Sequence, residues 1–369
     1  MSTPKTCQAA VIVAAHKPVE LWEIPVPECE PGAMLVRTEA ATVCGTDVHL
    51  WHGRMGAYAK FPAIPGHEMT GRIVRMGRGV THDAAEQPLA EGDRIVWTQG
   101  WCGNCYACSI ALQPTLCRRM PGMYGFGPAN KPPALTGGMS EYIYVFPQSR
   151  VVKVPEGLDA AVVSSATCAL RTVVHAFDRF GGLGIQENVV ILGSGPIGLY
   201  ALALAVTSGA GRAIMVGAPQ ARLEVATRWG ADHVIDMGKV PSAAERKEMI
   251  WQWTDGRGPD IVIECAGPTP AFEDGFNMIR DGGRYLVIGQ TDSTPSKLLA
   301  TRINLREVDI SGSFSATVRH YYKSMRFLAN NSKRFSFSDL ITKKYALREV
   351  GEALDAMASM QEIKPAVMF

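Results

Sequence analysis

The sequence predicts a strand-rich domain interrupted by an α/β domain built on a doubly wound parallel sheet. Three observations carry that prediction. The chain has 369 residues, 47% hydrophobic and 20% charged, enough for about two ordinary globular cores. Up to about residue 160 short apolar runs alternate with Gly, Pro and Asp turns, and many of the 23 prolines fall there. From about residue 170 buried strands alternate with helices, the rhythm of a parallel sheet.

In chain order, the runs Ala33–Thr38, Arg72–Met76 and Arg94–Trp97 read as strands of the first domain. Two Pro/Gly-rich stretches, Thr81–Gly92 and Pro121–Gly138, read as surface loops, the second bordering a site. Val189–Leu192, Ala213–Val216, Ile261–Glu264 and Arg284–Ile288 read as short buried strands. Ile197–Ser208 and Ala221–Trp229 read as helices, the second stopped by Gly230. Beyond Gly312, the helical stretches Arg319–Asn330 and Glu349–Ser359 and a terminal AVMF leave that rhythm. The tail therefore reads as a return to the first domain, residues 1–169 and 312–369, around an inserted second domain, 170–311.

Composition narrows the function classes. A net charge of +2 with scattered Lys and Arg gives no basis for nucleic-acid binding. Ala9–Ala15 suits a core strand better than an export signal. Asn188–Gly211 carries no charge and is long enough for a membrane span, but its VVILGSGPIGL reads as strand, glycine turn and helix start. The expectation is a soluble cytoplasmic protein with no membrane partner. Reducing surroundings and nine cysteines, an odd number, then argue against disulfides.

Gly193-Ser194-Gly195-Pro196-Ile197-Gly198 is a GxGxxG motif between a buried strand and a helix, the context of a Rossmann dinucleotide site. Gly193 makes the turn, Gly195 lets backbone approach a pyrophosphate, Gly198 lets the helix pack closely, and Pro196 and Ile197 open that helix. A structural loop or an S-adenosylmethionine site is the alternative. About 20 residues on, an acid that bonds the adenosine ribose is expected, and Gly217 stands there instead. Arg222, five positions later, could neutralise a 2′-phosphate, so NAD and NADP both stay open.

Cysteine and histidine supply the metal chemistry. Cys44 and His67, with a distant third residue, could form a Cys2His site with an open fourth position, as a catalytic zinc needs. Cys102-x2-Cys105-x2-Cys108-x8-Cys117 is a denser group, open to zinc, iron–sulfur or disulfide readings. A ferredoxin run continues with x3-Cys-Pro, whereas here x8 precedes Cys117 and Arg118 follows it.

VCGTDVH, GHEMTGRIVRMGRGV, GDRIV, the four-cysteine segment, CALRT and VVILGSGPIGL occur in one order along essentially the whole chain. In that combination the sequence resembles the zinc-dependent medium-chain alcohol dehydrogenase family. The resemblance implies a GroES-like catalytic domain holding a lobe at about residues 100–120, and zinc-dependent hydride transfer between an alcohol or polyol and NAD(P). It implies two zinc ions per chain: a catalytic one on Cys44, His67 and Cys168, and a structural one on Cys102, Cys105, Cys108 and Cys117. Cys168 is the ligand that some members replace by a carboxylate. It further implies that Glu68 acts beside the metal or transiently in place of its water. Thr46 would hydrogen-bond the alkoxide, His49 relay the proton, and Lys364 face the pyrophosphate. A small-molecule alcohol or carbonyl substrate and a homodimer or homotetramer follow from the same likeness. A zinc-free enoyl or quinone reductase of this fold has no use for Cys44, His67 and Cys168 together, and an NAD(P)-sensing zinc-scaffolded protein has none for Thr46 and His49.

Overall fold

A computed structural model describes residues 3–56, 59–289 and 294–369. The chain divides into one unit of Met1–Cys168, Ala316–Ser332 and Phe337–Phe369, and another of Ala169–Ser315 and Lys333–Ser336.

The first unit begins with β1 (Thr6–Ile12) and β2 (Val19–Pro25), an antiparallel pair. Next come β3 (Met34–Thr42), helix α1 (Gly45–Trp51), β4 (Met69–Met76) and β5 (Arg94–Trp97). The short helix α2 (Tyr106–Ser109) lies in the cysteine segment, before β6 (Tyr142–Val145), β7 (Val151–Lys153) and α3 (Ala160–Ser165). Apolar side chains alternate along these strands, so Ile12, Val36, Ala41, Ile73, Ile95 and Ile143 meet in one core. Each such burial contributes about 1.5–3 kcal/mol.

The second unit opens with α4 (Arg171–Phe180) and β8 (Asn188–Leu192), followed by α5 (Pro196–Thr207), β9 (Arg212–Gly217), α6 (Gln220–Arg228) and β10 (His233–Asp236). Then come α7 (Ala243–Trp253), β11 (Ile261–Glu264), α8 (Thr269–Met278), β12 (Arg284–Val287), α9 (Ala300–Leu305) and β13 (Asp309–Gly312). Its strands are all parallel, in the order β10-β9-β8-β11-β12-β13. That order reverses at β8 and β11, the arrangement of a dinucleotide-binding sheet. Asn188–Gly211 thus holds a strand and a 12-residue helix about 18 Å long, short of the ~30 Å a span needs.

The chain then returns to the first unit. Helices α10 (Val318–Asn331) and α11 (Val350–Ala358) frame β14 (Lys344–Tyr345), and β15 (Ala366–Met368) follows. β14 pairs with β15, and β15 runs antiparallel to β3, with Ala366 opposite Thr42. The seven-stranded sheet runs β14-β15-β3-β4-β5-β7, with β6 also on β3. This register matters for the site, because it sets Lys364 beside the end of β3.

One helix extends further than the sequence pattern indicates. Ala160–Phe180 is helical throughout and passes through a π turn at Ala166–Leu170. By length and composition it could cross a membrane, but 83% of its apolar window is buried inside the protein.

Candidate active site

Four side chains from three segments converge at the end of β3 and the start of β4. Cys44 starts α1, His67 and Glu68 lead into β4, and Cys168 lies on the π turn. One ligand atom from each lies within 4.8 Å of the other three. Tetrahedral zinc with Zn–N and Zn–S bonds of about 2.0–2.3 Å sets its ligands about 3.3–3.8 Å apart, so small shifts would complete a shell. A π turn displaces one residue from the α-helical register, and such turns are frequent at functional sites. Thr167 Oγ1 accepts from the Met69 N–H at 3.2 Å, fixing this turn against β4.

Asp47, absent from the sequence-based ligand set, ties the site together. Its Oδ2 accepts from the Cys44 N–H at 2.8 Å, closing the first turn of α1. Its Oδ1 accepts from the Gly66 N–H at 3.0 Å and lies 3.3 Å from His67 Nδ1. The His67 ring is thereby oriented with Nε2 away from Asp47, as a metal-ligating imidazole requires. Its signal was present in C-G-T-D, an acid three residues after a helix start.

The titration of these groups fits a cation site. Burial alone would raise Asp47, but His67 and the two N–H donors hold it below its ordinary value. Burial would depress His67, yet Asp47 and Cys44 raise it well above the usual imidazole range. A hydrogen bond with Cys168, together with burial, pushes the Cys44 thiol up to about 11. Burial carries Glu68 up to about 7 against the pull of Lys364. A thiol that ionises as reluctantly as Cys44 gives up its proton when a metal takes its place.

Around this centre, the Phe126 ring stacks on His67 at 5.6 Å. A Cβ on Gly125 would fall 3.2 Å from His67 Cβ, so the loop 121–138 does border the site. Thr46 Oγ1 lies 3.7 Å from Cys44 Sγ. His49 Nδ1 is buried without a hydrogen-bond partner among the described residues, and burial keeps this imidazole below its usual value. Trp97 and Tyr124 meet edge-on at 6.1 Å, and the Tyr124 hydroxyl bonds Ser149 at 2.8 Å. Both are packing residues of the first unit. Lys364, expected against a pyrophosphate, reaches Glu68 instead, 2.7 Å from Oε1 and 2.6 Å from Oε2.

The four-cysteine segment forms a separate group. Sγ–Sγ distances are 3.5 Å for Cys102–Cys117, 3.9 Å for Cys105–Cys117 and 4.0 Å for Cys102–Cys108, with no disulfide. The Cys108 N–H draws Cys105 down to about 7, towards the thiolate a metal needs. These spacings match the edges of a closed zinc tetrathiolate.

In the second unit, a Cβ on Gly198 would lie 1.8 Å from the Gly193 carbonyl oxygen, so only glycine lets α5 approach the turn. Gly193 takes φ +101, and Ala266 Cα would be 2.9 Å from a Cβ there. Pro196 is the first residue of α5, and Ile197 the second. At Gly217 a Cβ would meet Ser194 Oγ at 2.4 Å, so Ser194 occupies the space an acidic side chain would need. Arg222 is buried, and its Nη1 lies 4.0 Å from where a Gly195 Cβ would be. Sequence reasoning overlooked Glu264, fully buried at the end of β11, whose Oε1 accepts from the Ala266 and Gly267 N–H groups at 2.7 Å each.

Comparison with known proteins identifies the family. Residues 30–156 match the family described as alcohol dehydrogenase GroES-like domain, and 196–330 match zinc-binding dehydrogenase. The 5-exo-hydroxycamphor dehydrogenase of Pseudomonas putida is 32% identical, with 98% of each chain covered. An alcohol dehydrogenase structure from Thermotoga maritima superposes with a TM-score of 0.92 at 31% identity, covering 98% of this chain and 99% of that one. A zinc-binding dehydrogenase from Sinorhizobium meliloti bound to NADP superposes with a TM-score of 0.86 at 26% identity, covering 99% and 100%. With its GroES-like and Rossmann domains, this chain belongs to the zinc-dependent medium-chain dehydrogenases and is an NAD(P)-dependent oxidoreductase of alcohols.

Proposed function

We propose that Cys44, His67 and Cys168 hold the catalytic zinc, and that the chain interconverts a secondary alcohol and its ketone. The observation that carries this is the convergence of those three ligand atoms with Glu68 within 4.8 Å. A zinc ion bound there supplies Lewis acidity, which lowers the pKa of the alcohol oxygen. NAD(P) held by the glycine turn would supply the hydride acceptor, and the substrate hydroxyl proton is then left for this chain's own residues to move. Thr46, two residues after Cys44, takes the hydrogen bond of the substrate hydroxyl. His49 receives the proton, because its depressed pKa keeps the imidazole neutral near pH 7. Cys102, Cys105, Cys108 and Cys117 leave no open position and hold a structural zinc.

The hydroxycamphor relative supports an alicyclic secondary alcohol as substrate, and the Phe126 ring on His67 gives the site an apolar wall. Gly193, Gly195 and Gly198 carry the pyrophosphate, and Arg222 beside a carboxylate-free Gly217 admits the 2′-phosphate of NADP. The edge strand β13, with Leu305, Ile310 and Phe314 exposed near it, supports a homodimer joined strand to strand. Free cysteines throughout support a cytoplasmic location.

The test is a panel of cyclic, linear and polyhydric alcohols with NAD and NADP in parallel, alongside zinc analysis. Turnover that vanishes in His67→Ala while one zinc remains is the expected result. Retained turnover in that variant refutes the ligand assignment.

A further inference from the structure

Glu68 is held at both ends, by its backbone carbonyl and by its carboxylate. Its carbonyl oxygen accepts from the Thr42 N–H at 3.1 Å and from the Ser164 hydroxyl at 2.9 Å. Its carboxylate receives the Thr42 hydroxyl on Oε2 at 2.5 Å, beside the Lys364 ammonium. Thr42, Glu68 and Ser164 are fully buried. Thr42 Oγ1 also lies 3.1 Å from Ser164 Oγ. Whichever acceptor Ser164 uses, the carboxylate is the strongest one open to the Thr42 hydrogen, and 2.5 Å is the length of a charge-assisted bond.

The two donors on the carboxylate are not equivalent. Lys364 straddles both oxygens and has a flexible stem, so it can follow the carboxylate as it turns. Thr42 sits on β3, is β-branched and stiff at its first torsion, and reaches Oε2 alone. Oε2 therefore carries two donors and has little capacity left for a metal. A Glu68 carboxylate oxygen nevertheless lies within 4.8 Å of each of the Cys44, His67 and Cys168 ligand atoms.

We propose that Thr42 is a positioning residue that withholds Glu68 from the fourth metal position and so leaves that position to the substrate oxygen. The proposal rests on Cys44, His67 and Cys168 being the catalytic ligands. Without the Thr42 hydroxyl, the carboxylate turns towards the metal and competes with substrate.

The experiment uses the full chain with Co2+ in place of the catalytic zinc. Thr42→Val keeps the side-chain shape and removes the donor, whereas Thr42→Ser keeps it. Expected for Thr42→Val are changed cobalt d–d bands in the absence of substrate and about tenfold weaker imidazole binding followed on those bands. KM for the alcohol rises by a similar factor, with kcat much less affected. Thr42→Ser restores the bands. In Thr42→Val/Glu68→Asp, which draws the carboxylate back by one methylene while keeping its charge for Lys364, the effect disappears. Unchanged bands and imidazole affinity in Thr42→Val would overturn the proposal, as would an effect that survives in the double variant. Absence of a Cys44-dependent thiolate-to-cobalt absorption in the unsubstituted chain would instead overturn the ligand assignment, and this proposal with it.

Discussion

The Lys364 ammonium lies 2.6 Å from one Glu68 oxygen and 2.7 Å from the other, and water reaches neither side chain. Burial would drive Lys364 towards its neutral form, but Glu68 more than reverses this and raises it. An uncompensated buried charge costs about 3–5 kcal/mol where it persists. Burial already carries Glu68 up to about 7, so in Lys364→Met the carboxyl takes up a proton near pH 7. The fall in denaturant midpoint is therefore expected to deepen as pH rises, with Lys364→Met/Glu68→Gln removing that pH dependence. A single variant as stable as the parent at alkaline pH would show that the pair is not charged.

The two cysteine groups separate by what fails first. Cys105→Ser should lower the zinc content from about two per chain to about one and depress Tm, with residual activity in the fraction that stays folded. Cys44→Ser should remove the other zinc and abolish turnover, with little change in Tm. Metal analysis and calorimetry on both variants check this, and interchanged effects would exchange the two roles.

On the proposed cofactor reading, coenzyme choice depends on the space that Ser194 fills beside Gly217. Because Ser194 Oγ would stand 2.4 Å from a Cβ at position 217, Gly217→Asp alone is expected to weaken NAD and NADP alike. Gly217→Asp/Ser194→Gly should recover NAD binding while rejecting NADP. Arg222→Ala should lower kcat/KM for NADP about tenfold relative to NAD, consistent with the loss of a charge-assisted contact.

Acid stability involves Glu39, whose Oε1 accepts from Arg72 Nε at 2.8 Å and whose Oε2 accepts from Arg94. Burial pushes Glu39 up, but the two guanidinium groups outweigh it and hold it below its ordinary value. A carboxylate with a depressed folded pKa stabilises the fold above its unfolded pKa, about 4.3, and that contribution fades as pH falls through the folded value. Glu39→Gln should cost about 1 kcal/mol at pH 7, allowing for solvent screening, and nothing measurable once both states are protonated. Urea titrations at several pH values compare the two.

What could be read in the sequence follows the range of the interactions. Strands such as Ile261–Glu264 and helices such as α5 were legible because their periodicity and glycine stops are local. Cys44 and His67 were legible for the same reason, each beside its own turn. Cys168 lies about a hundred residues on and was reached only through family likeness. The first turns of its helix were not legible, because in AAVVSSAT the alanines are interrupted by Val, Ser and Thr, which favour strands or turns. Thr42, Ser164 and Lys364 were illegible as a group, since only the pairing of β15 with β3 brings Lys364 to Glu68. Lys364 read as a pyrophosphate contact through the family likeness, and a lone lysine carries no sign of which carboxylate it will meet.

The π turn at Ala166–Leu170 makes the aim of Cys168 depend on backbone count. Each residue of an α-helix advances about 100° around the axis, so deleting one residue from this turn would regularise the helix and swing the thiol away from Cys44 and His67. The shorter chain would gain backbone hydrogen bonding and lose the proposed catalytic metal, keeping the four-cysteine site. The irregularity thus costs the helix regular hydrogen bonding and serves the ligand role proposed for Cys168.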